Sequence, residues 1–163
     1  MVATGTQPYY PGPGGRAHPG PTAIRLPKAI RIAIANEARR ALPNEACGLV
    51  IGDRPVLAGG RALRWVPLPN AAASPYRYEI DPDDLLRMTI ETEAADEAIW
   101  AIVHSHVASP ARPSPTDVRQ SFYPEALYLL VSLDPGEAEV STGRPGLRAW
   151  RIVAGTVHEV AIA

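Results

Sequence analysis

Three short apolar runs limit what this chain can fold into more than any other feature of its sequence. They are CGLVIG at 47–52, AIWAIVHSH at 98–106 and ALYLLVSL at 126–133. A nearly continuous apolar run of this length, bounded by turn residues, is typical of a strand that is buried on both faces. Segments with helical periodicity lie between them. The sequence therefore predicts a sheet flanked by helices, in an α/β or α+β fold.

The first helix is predicted between Pro27 and Pro43. Pro27 suits the first helical position, and the helix must stop by Pro43 because proline removes a backbone donor and clashes with the preceding turn. Apolar side chains recur at intervals of four residues and predict one buried stripe. The stripe consists of Ile30, Ile34, Ala38 and Leu42.

Two tetrapeptides predict further helix starts. DPDD at 81–84 offers Asp81 as N-cap, proline at the first helical position and carboxylates in the first turn. SPTD at 114–117 forms a capping-box pattern and predicts a short helix running toward Phe122. The apolar side of the helix after Asp81 is predicted to consist of Leu85, Leu86, Met88 and Ile90.

The remaining strands are predicted from alternation and turn residues. ALRWVPLP at 62–69 and YRYEI at 76–80 each predict one strand, and the segments around Ala154 and Gly155 predict a closing hairpin. The predicted order is helix, strands, helix, strand, short helix, strands.

Residues 1–22 differ in composition from the rest of the chain. They contain five prolines, five glycines and almost no aliphatic side chains. Such a segment buries too little apolar surface to offset its ordering entropy. We therefore predict a disordered tail at 1–22 and one folded domain at 23–163.

Bulk composition favours a globular, cytoplasmic protein. The formal net charge of -1 gives no general reason to bind nucleic acid or an acidic membrane. No apolar run approaches the roughly 18 residues of a membrane span, and the N-terminus lacks the pattern of a signal peptide. The single cysteine, Cys47, cannot form an internal disulfide and is expected to be a small buried residue.

The residues that point to chemistry lie in HSHVASPARPSPTD at 104–117. His104 and His106 are two residues apart on a predicted strand, so their side chains leave the same face. Two imidazoles so placed can share one metal ion, and Asp117 in the next helix is the candidate third ligand. Glu45, in the turn before a buried strand, is the candidate general base.

Simpler interpretations account for each of these residues separately. A histidine at a strand end is commonly a structural or solvated side chain, and a capping box alone would explain Ser114 and Asp117. For Glu45 taken by itself, a surface charge is the favoured interpretation. The residues alone leave both the metal site and the polar loop open.

A resemblance favours the metal site. The spacing of these residues matches the pattern H-x-H-x7-S-x2-D, with the histidines at His104 and His106, the serine at Ser114 and the aspartate at Asp117. This pattern resembles the signature of the JAMM (MPN+) metalloproteases, and Glu45 matches the upstream glutamate of that signature. The resemblance implies a curved mixed sheet flanked by helices, in the layout of the cytidine deaminases. It further implies that His104, His106 and Asp117 bind zinc, that Glu45 deprotonates water, and that Ser114 stabilises the oxyanion.

The segments RLPKAI, PNEACGLVIG and YRYEI make the chain most similar to compact prokaryotic JAMM proteins of the actinobacterial Mec type. That type releases cysteine from the C-terminus of a ubiquitin-like sulfur carrier, CysO. The resemblance therefore implies a partner with a C-terminal Gly-Gly tail. Residues 74–78 and 107–113 are candidate groove walls, with Tyr76, Arg77 and Arg112 as candidate substrate contacts; both arginines are also explained as solvated charges.

Three alternatives accompany this hypothesis. A JAMM enzyme could process a different ubiquitin-like protein, or an MPN domain could bind partners without catalysis, although a scaffold has no need of the complete set of five residues. A zinc nucleobase deaminase is excluded, because its H-x-E and P-C-x-x-C pairs are absent from this sequence.

Overall fold

Seven strands and three α-helices make up the part of the chain that the computed structural model describes, residues 20–137 and 145–163. The helices are α1 (Lys28–Arg40), α2 (Pro82–Ala94) and α3 (Pro115–Arg119). The strands are β1 (Ala23–Ile24), β2 (Cys47–Gly52), β3 (Ala62–Leu68), β4 (Ala98–His106), β5 (Leu127–Ser132), β6 (Gly146–Val153) and β7 (Thr156–Ile162).

The strands form one mixed sheet in the order β1-β7-β6-β5-β4-β2-β3. Strands β4 and β5 are parallel, whereas β2 pairs antiparallel with β4, and β6 pairs antiparallel with β5. Every residue of β2 and β5 is buried. The predicted α+β fold, a mixed sheet flanked by helices with the apolar runs as interior strands, is confirmed.

Apolar side chains on the two faces of the sheet form two separate clusters. Val103 and Leu129 belong to the cluster that contains the buried side of α1. Ile102 and Leu130, their chain neighbours, belong to the cluster that contains Met88 of α2. This division follows from the two-residue period of a strand, and it puts α1 and α2 on opposite faces.

Helix α1 confirms most of the predicted stripe and corrects its ends. Ile30, Ile34 and Ala38 are buried, but Pro27 is the N-cap rather than the first helical residue. Leu42 lies beyond the helix end and is 48% exposed. The residue before a proline is disfavoured in the α region, so the helix ends before Leu42 reaches the apolar face.

Helix α2 confirms the predicted start, with Asp81 capping it through a side-chain hydrogen bond. Its predicted apolar side is partly wrong. Met88 is buried, whereas Leu86 and Ile90 are 59% and 58% exposed. At about 100° per residue, both lie roughly 160° from Met88 around the helix, so one face cannot bury all three.

The predicted strand at 76–80 does not form. Ile80 makes one isolated bridge with Asn70, and the amide of Glu79 donates to the side-chain oxygen of Asn70 at 3.0 Å. The side chain of Asn70 thus accepts the hydrogen bond that a backbone carbonyl would accept in a regular strand pair, and the pairing ends after one bridge.

Helix α3 is shorter than predicted, and the hairpin is confirmed. Helix α3 ends at Arg119 and leaves Phe122 exposed, since the hydroxyl of Ser121 donates to the carbonyl of Val118 at 2.7 Å and competes with further helical bonds. Strands β6 and β7 are joined by Ala154 and Gly155, both at positive φ, as a tight right-twisted hairpin turn requires.

The chain is already paired with the sheet one residue ahead of the predicted domain start. The carbonyl of Thr22 accepts a hydrogen bond from the amide of Ala161 at 3.0 Å, and β1 pairs in parallel with β7. The predicted disorder of the tail falls on residues 1–19, which lie outside the described residues. None of the helices in the described ranges combines the length and apolarity that a membrane crossing demands.

Candidate metal centre

His104, His106 and Asp117 converge at the carboxyl end of β4. The two histidines follow each other on one face of the strand, and their Nε2 atoms lie 3.2 Å apart. Asp117 belongs to α3, in the connection from β4 to its parallel neighbour β5, which returns the chain over this end of the sheet. Its Oδ1 lies 3.2 Å from Nε2 of His104, and its Oδ2 lies 3.3 Å from Nε2 of His106.

This arrangement can hold a metal ion. One ligand atom from each of the three residues lies within 4.8 Å of the others, and all three side chains are nearly or fully buried. Two imidazole nitrogens and a carboxylate oxygen pointed at one spot leave their lone pairs facing one another, which is unfavourable without a cation or protons between them. The group predicted from the sequence is therefore brought together by the fold.

A hydrogen bond from His106 defines its tautomer. Nδ1 of His106 lies 2.7 Å from the carbonyl oxygen of Pro110, so this nitrogen carries the proton and donates it. In the neutral ring Nε2 is then the unprotonated atom, facing His104 and Asp117, and a second proton taken up at Nε2 would be donated to the Asp117 carboxylate. Such a bond to the second nitrogen orients a ligating imidazole and raises its basicity.

The loop that contains Pro110, at residues 107–113, is itself attached to the sheet by hydrogen bonds. The hydroxyl of Ser132 donates to the carbonyl of Ser109 at 2.7 Å, and the indole N–H of Trp150 donates to the carbonyl of Ala111 at 2.9 Å. Three successive carbonyls of the loop thus accept hydrogen bonds from side chains on three adjacent strands. The position of the Pro110 carbonyl is determined by the sheet.

The three ligand residues differ in the direction in which their surroundings shift their pKa values. Burial works to raise the pKa of Asp117, but hydrogen bonds with both imidazoles and the Ser114 amide hold it well below its usual range. Burial lowers the pKa of His104. Burial also acts to lower the pKa of His106, but its bonds to Asp117 and Pro110 outweigh burial and leave that pKa raised. Asp117 is thus a carboxylate in this site.

Ser114 and Asp117 form the predicted capping box. Oγ of Ser114 accepts from the amide of Asp117 at 3.1 Å, and Oδ2 of Asp117 accepts from the amide of Ser114 at 2.7 Å. The hydroxyl serves the cap as an acceptor, which leaves its hydrogen free to be donated elsewhere. The structural and the catalytic interpretation of Ser114 are therefore compatible.

Glu45 is buried immediately before β2 and carries a raised pKa. Burial raises the pKa of its carboxyl to about 7, while the charge of His106 acts in the opposite direction and that of Asp117 adds to the rise. A surface role for Glu45 is thus wrong. A buried carboxyl with a pKa close to neutrality, next to a cluster of titratable groups, is typical of a general acid or base.

The backbone around Glu45 is held from both sides. Its amide donates to the carbonyl of Ser74 at 2.9 Å, and its carbonyl accepts from the side-chain amide of Asn70 at 3.0 Å. The next residue, Ala46, donates its amide to the hydroxyl of Ser105 at 2.7 Å. Ser105, which stands between the two histidines, thus ties the glutamate segment to the strand that carries the ligands.

Cys47 is the small buried residue that was predicted. Its Sγ lies 3.5 Å from the carbonyl oxygens of Leu68 and Pro69, and burial raises the pKa of its thiol to about 12. A thiol so protonated is a poor nucleophile.

The three predicted substrate contacts lie on the two loops beside the site, and among the described residues no hydrogen bond or ion pair joins their side chains to the ligand residues. Tyr76 and Arg77 are exposed, and Arg77 pairs with Glu79 at 3.5 Å across the surface. Arg112 is exposed and follows Pro110 by two residues.

Tyr78 is the contact that sequence reasoning did not single out. Its ring lies on His104 with centroids 4.1 Å apart and planes 19° from parallel. The alternating Tyr-Arg-Tyr pattern suggested a strand, and nothing local distinguishes the tyrosine that turns inward. Asn70, Ser105, Ser132 and Trp150 were missed for the same reason, because their roles depend on distant partners.

A mixed sheet with a buried His-His-Asp group and a buried glutamate beside it is an arrangement typical of hydrolases whose site can hold a metal ion. Residues 27–153 match the family of prokaryotic homologs of the JAB domain, Prok-JAB. The chain belongs to this family, whose JAMM-type members are hydrolytic peptidases. The predicted family and the predicted enzyme class are confirmed.

Two curated relatives support the assignment. The CysO-cysteine peptidase of Mycobacterium tuberculosis is 41% identical over 128 residues, which are 78% of this chain and 81% of that protein. The desampylase of Haloferax volcanii is 33% identical over 114 residues, covering 64% of this chain and 82% of that protein.

Solved structures agree with the fold. A solution structure of a protein from Desulfitobacterium hafniense is 34% identical, with a TM-score of 0.71, over 86% of this chain and 91% of that one. A crystal structure of a JAB1/MPN domain protein from Archaeoglobus fulgidus, 17% identical with a TM-score of 0.51, covers 86% of this chain and 98% of that one. At that identity the second shows the fold alone.

Proposed function

We propose that the protein is a zinc-dependent peptidase that cleaves the bond after the C-terminal Gly-Gly of a small ubiquitin-like protein. We propose further that its substrate is a sulfur carrier of the CysO type, from which it releases cysteine in cysteine biosynthesis. The observation that carries the proposal is the convergence of the buried ligand atoms of His104, His106 and Asp117 next to the buried Glu45. The similarity to a CysO-cysteine peptidase supports the choice of substrate.

The donor set suits zinc. Zinc binds imidazole nitrogen and carboxylate oxygen, and catalytic zinc sites keep three protein ligands with one position open. His104, His106 and Asp117 would hold the ion, and the Pro110 carbonyl keeps the His106 ring in the tautomer that zinc needs. When bound, zinc supplies Lewis acidity that polarises a carbonyl and lowers the pKa of water toward roughly 7.

The side chains of this site would divide the proton transfers and the charge stabilisation between them. Glu45 takes a proton from the attacking water and later gives it to the departing amine. The C–N bond breaks, the hydroxyl group joins the carbonyl carbon, and the proton ends on nitrogen. The free hydrogen of the Ser114 hydroxyl is donated to the carbonyl oxygen as negative charge develops there.

The substrate tail would lie between the two loops that touch the ligands. Residues 74–78 cover His104 through Tyr78, and residues 107–113 hold His106 through Pro110. We propose that the exposed ring of Tyr76 contacts the tail. We propose that Arg77 and Arg112 meet the carboxylate of the departing cysteine.

The decisive experiment uses a small ubiquitin-like carrier that ends in Gly-Gly-Cys. We expect the zinc-loaded protein to release free cysteine, followed by intact mass, and to stop when a chelator removes the metal. The variant Glu45→Gln is isosteric, so it should retain metal and lose hydrolysis by about 10²- to 10⁴-fold. Unimpaired hydrolysis by this variant would remove Glu45 as the base.

A second function of the same site is favoured by the relative named desampylase. In this alternative the substrate is an isopeptide conjugate between a ubiquitin-like protein and a lysine of another protein. The same assay run on such a conjugate separates the two. Cleavage of the conjugate without release of cysteine from the carrier would favour deconjugation and would contradict the cysteine assignment.

A further inference from the structure

One side chain outside the ligand group uses all of its hydrogen-bonding capacity next to the site. Nδ2 of Asn70 donates to the carbonyls of Glu45 and Arg77, each at 3.0 Å. Oδ1 of Asn70 accepts from the amides of Ala72 and Glu79, each at 3.0 Å. A carboxamide offers two donors and two acceptor lone pairs, so none is left over.

These four bonds join two parts of the site that are far apart in sequence. On one side Asn70 holds the carbonyl of Glu45. On the other side it holds Arg77 and Glu79, the two neighbours of Tyr78, whose ring lies 4.1 Å from that of His104. The amide therefore lies between the proposed general base and the aromatic side chain that covers a proposed ligand.

Other bonds in the loop depend on the same geometry. The amide of Glu45 donates to Ser74 at 2.9 Å, and the amide of Ala71 donates to Glu79 at 2.8 Å. Both bonds have a partner in residues 71–79, the segment whose two ends are held together by the Asn70 side chain. No regular ladder supports residues 71–79, so the hydrogen bonds that join this region to Glu45 are the one from the Asn70 side chain and the backbone bond between Glu45 and Ser74.

We propose that Asn70 is a positioning residue that sets Glu45 and Tyr78 relative to the ligand group. It acts through them and contacts neither the reacting atoms nor the metal ligands. This inference rests on the proposed function for the role of Glu45. Only a carboxamide satisfies all four partners: aspartate has no donors, and it would turn its oxygens toward the carbonyls of Glu45 and Arg77.

The test compares Asn70→Asp with Asn36→Asp, which adds the same charge at an exposed position on α1. We expect Asn70→Asp to keep one metal per chain and to lower kcat on the cleaved carrier by about 10- to 100-fold, the usual cost of slightly misplaced groups. KM is expected to rise as well, because Asn70 holds the loop that contains residues 74–78, a proposed wall of the groove. Asn36→Asp should match the parent protein.

A second readout does not depend on activity. In hydrogen exchange followed by mass spectrometry, peptides covering residues 70–80 should exchange at least about tenfold faster in Asn70→Asp, whereas peptides of β6 and β7 should be unchanged. If Asn70→Asp does not fold by circular dichroism, Asn70→Ser is measured in the same way, with the same expected changes.

The outcomes distinguish a failure of the proposed function from a failure of the positioning role of Asn70. If the parent protein and Glu45→Gln are equally inactive on every carrier tested, the proposed function fails, while the exchange measurement still tests the role of Asn70 in the loop. If the parent protein is active and Glu45→Gln is not, but Asn70→Asp equals Asn36→Asp in both kcat and exchange, the positioning role is overturned.

Discussion

Nδ1 of His106 donates a hydrogen bond to the carbonyl of Pro110 at 2.7 Å, and that carbonyl lies between two others that the sheet holds in place. The orientation of a proposed metal ligand on β4 thus depends on side chains of β5 and β6. This connection accounts for a buried tryptophan and a buried serine that take no direct part in the ligand group.

The variant Trp150→Phe is expected to weaken metal binding without unfolding the protein. It removes the N–H that holds the Ala111 carbonyl and leaves most of the apolar contact in place. Loss of a direct partner of a ligand costs about 10- to 100-fold in metal affinity, and Trp150 acts one residue further away, so we expect about tenfold or less. Competition with a chromophoric chelator measures the change.

Trp65→Phe is the matched control. Trp65 packs against the core on the α1 side of the sheet, whereas Ala111 of the loop belongs to the cluster on the opposite side. It should leave metal affinity unchanged. Equal affinities for the two variants would show that the loop does not need the indole donor.

Asp117→Asn is expected to remove most of the metal binding. The substitution keeps the shape of the side chain but deletes the negative charge between the two imidazoles. Metal at 100 times its dissociation constant should stabilise the parent protein by about 2.7 kcal/mol, seen as a rise in Tm, and should not stabilise the variant. Asp83→Asn, at an exposed site on α2, should respond to metal as the parent protein does.

Ser114→Gly should separate the two roles of this hydroxyl. Glycine is tolerated at an N-cap, so the free energy of unfolding should fall by only a few tenths of a kcal/mol. Loss of an oxyanion donor should lower kcat by about 10²- to 10³-fold. A variant that keeps nearly full kcat would leave Ser114 with the capping role alone.

Ser121→Ala is the comparison for that experiment, because it deletes a hydroxyl at the other end of α3, where the bond is to the carbonyl of Val118. We expect it to leave kcat unchanged. A fall of similar size in both variants would indicate that α3 is merely loosened.

Met88→Ala and Leu86→Ala should differ strongly in stability although both lie on α2. Met88 is buried against the sheet, so its truncation should cost about 2–5 kcal/mol in the free energy of unfolding. Leu86 is 59% exposed, and its truncation should stay within about 0.5 kcal/mol. Denaturant titration of both variants tests this, and equal losses would contradict the orientation of the helix.

Features encoded locally were predictable. The apolar runs identified the interior strands, and DPDD at 81–84 identified the start of α2. Errors arose where a local pattern depended on a distant partner. YRYEI alternates as a strand does, but Asn70 takes the place of its ladder partner, and Leu86 is apolar although it lies opposite the buried side of its helix.

The sequence by itself determined which residues are candidates for the chemistry: the spacing of His104, His106, Ser114 and Asp117, together with Glu45 far upstream, is a property of the chain alone. Only the tertiary structure decided how they are arranged and supported. The parallel β4 and β5 return Asp117 over the histidines, and burial raises the pKa of Glu45 to about 7. Hydrogen bonds from Ser132 and Trp150 hold the loop whose Pro110 carbonyl orients the His106 ring. Burial and hydrogen bonding are properties of neighbours in space, and for these residues the neighbours are distant in the chain.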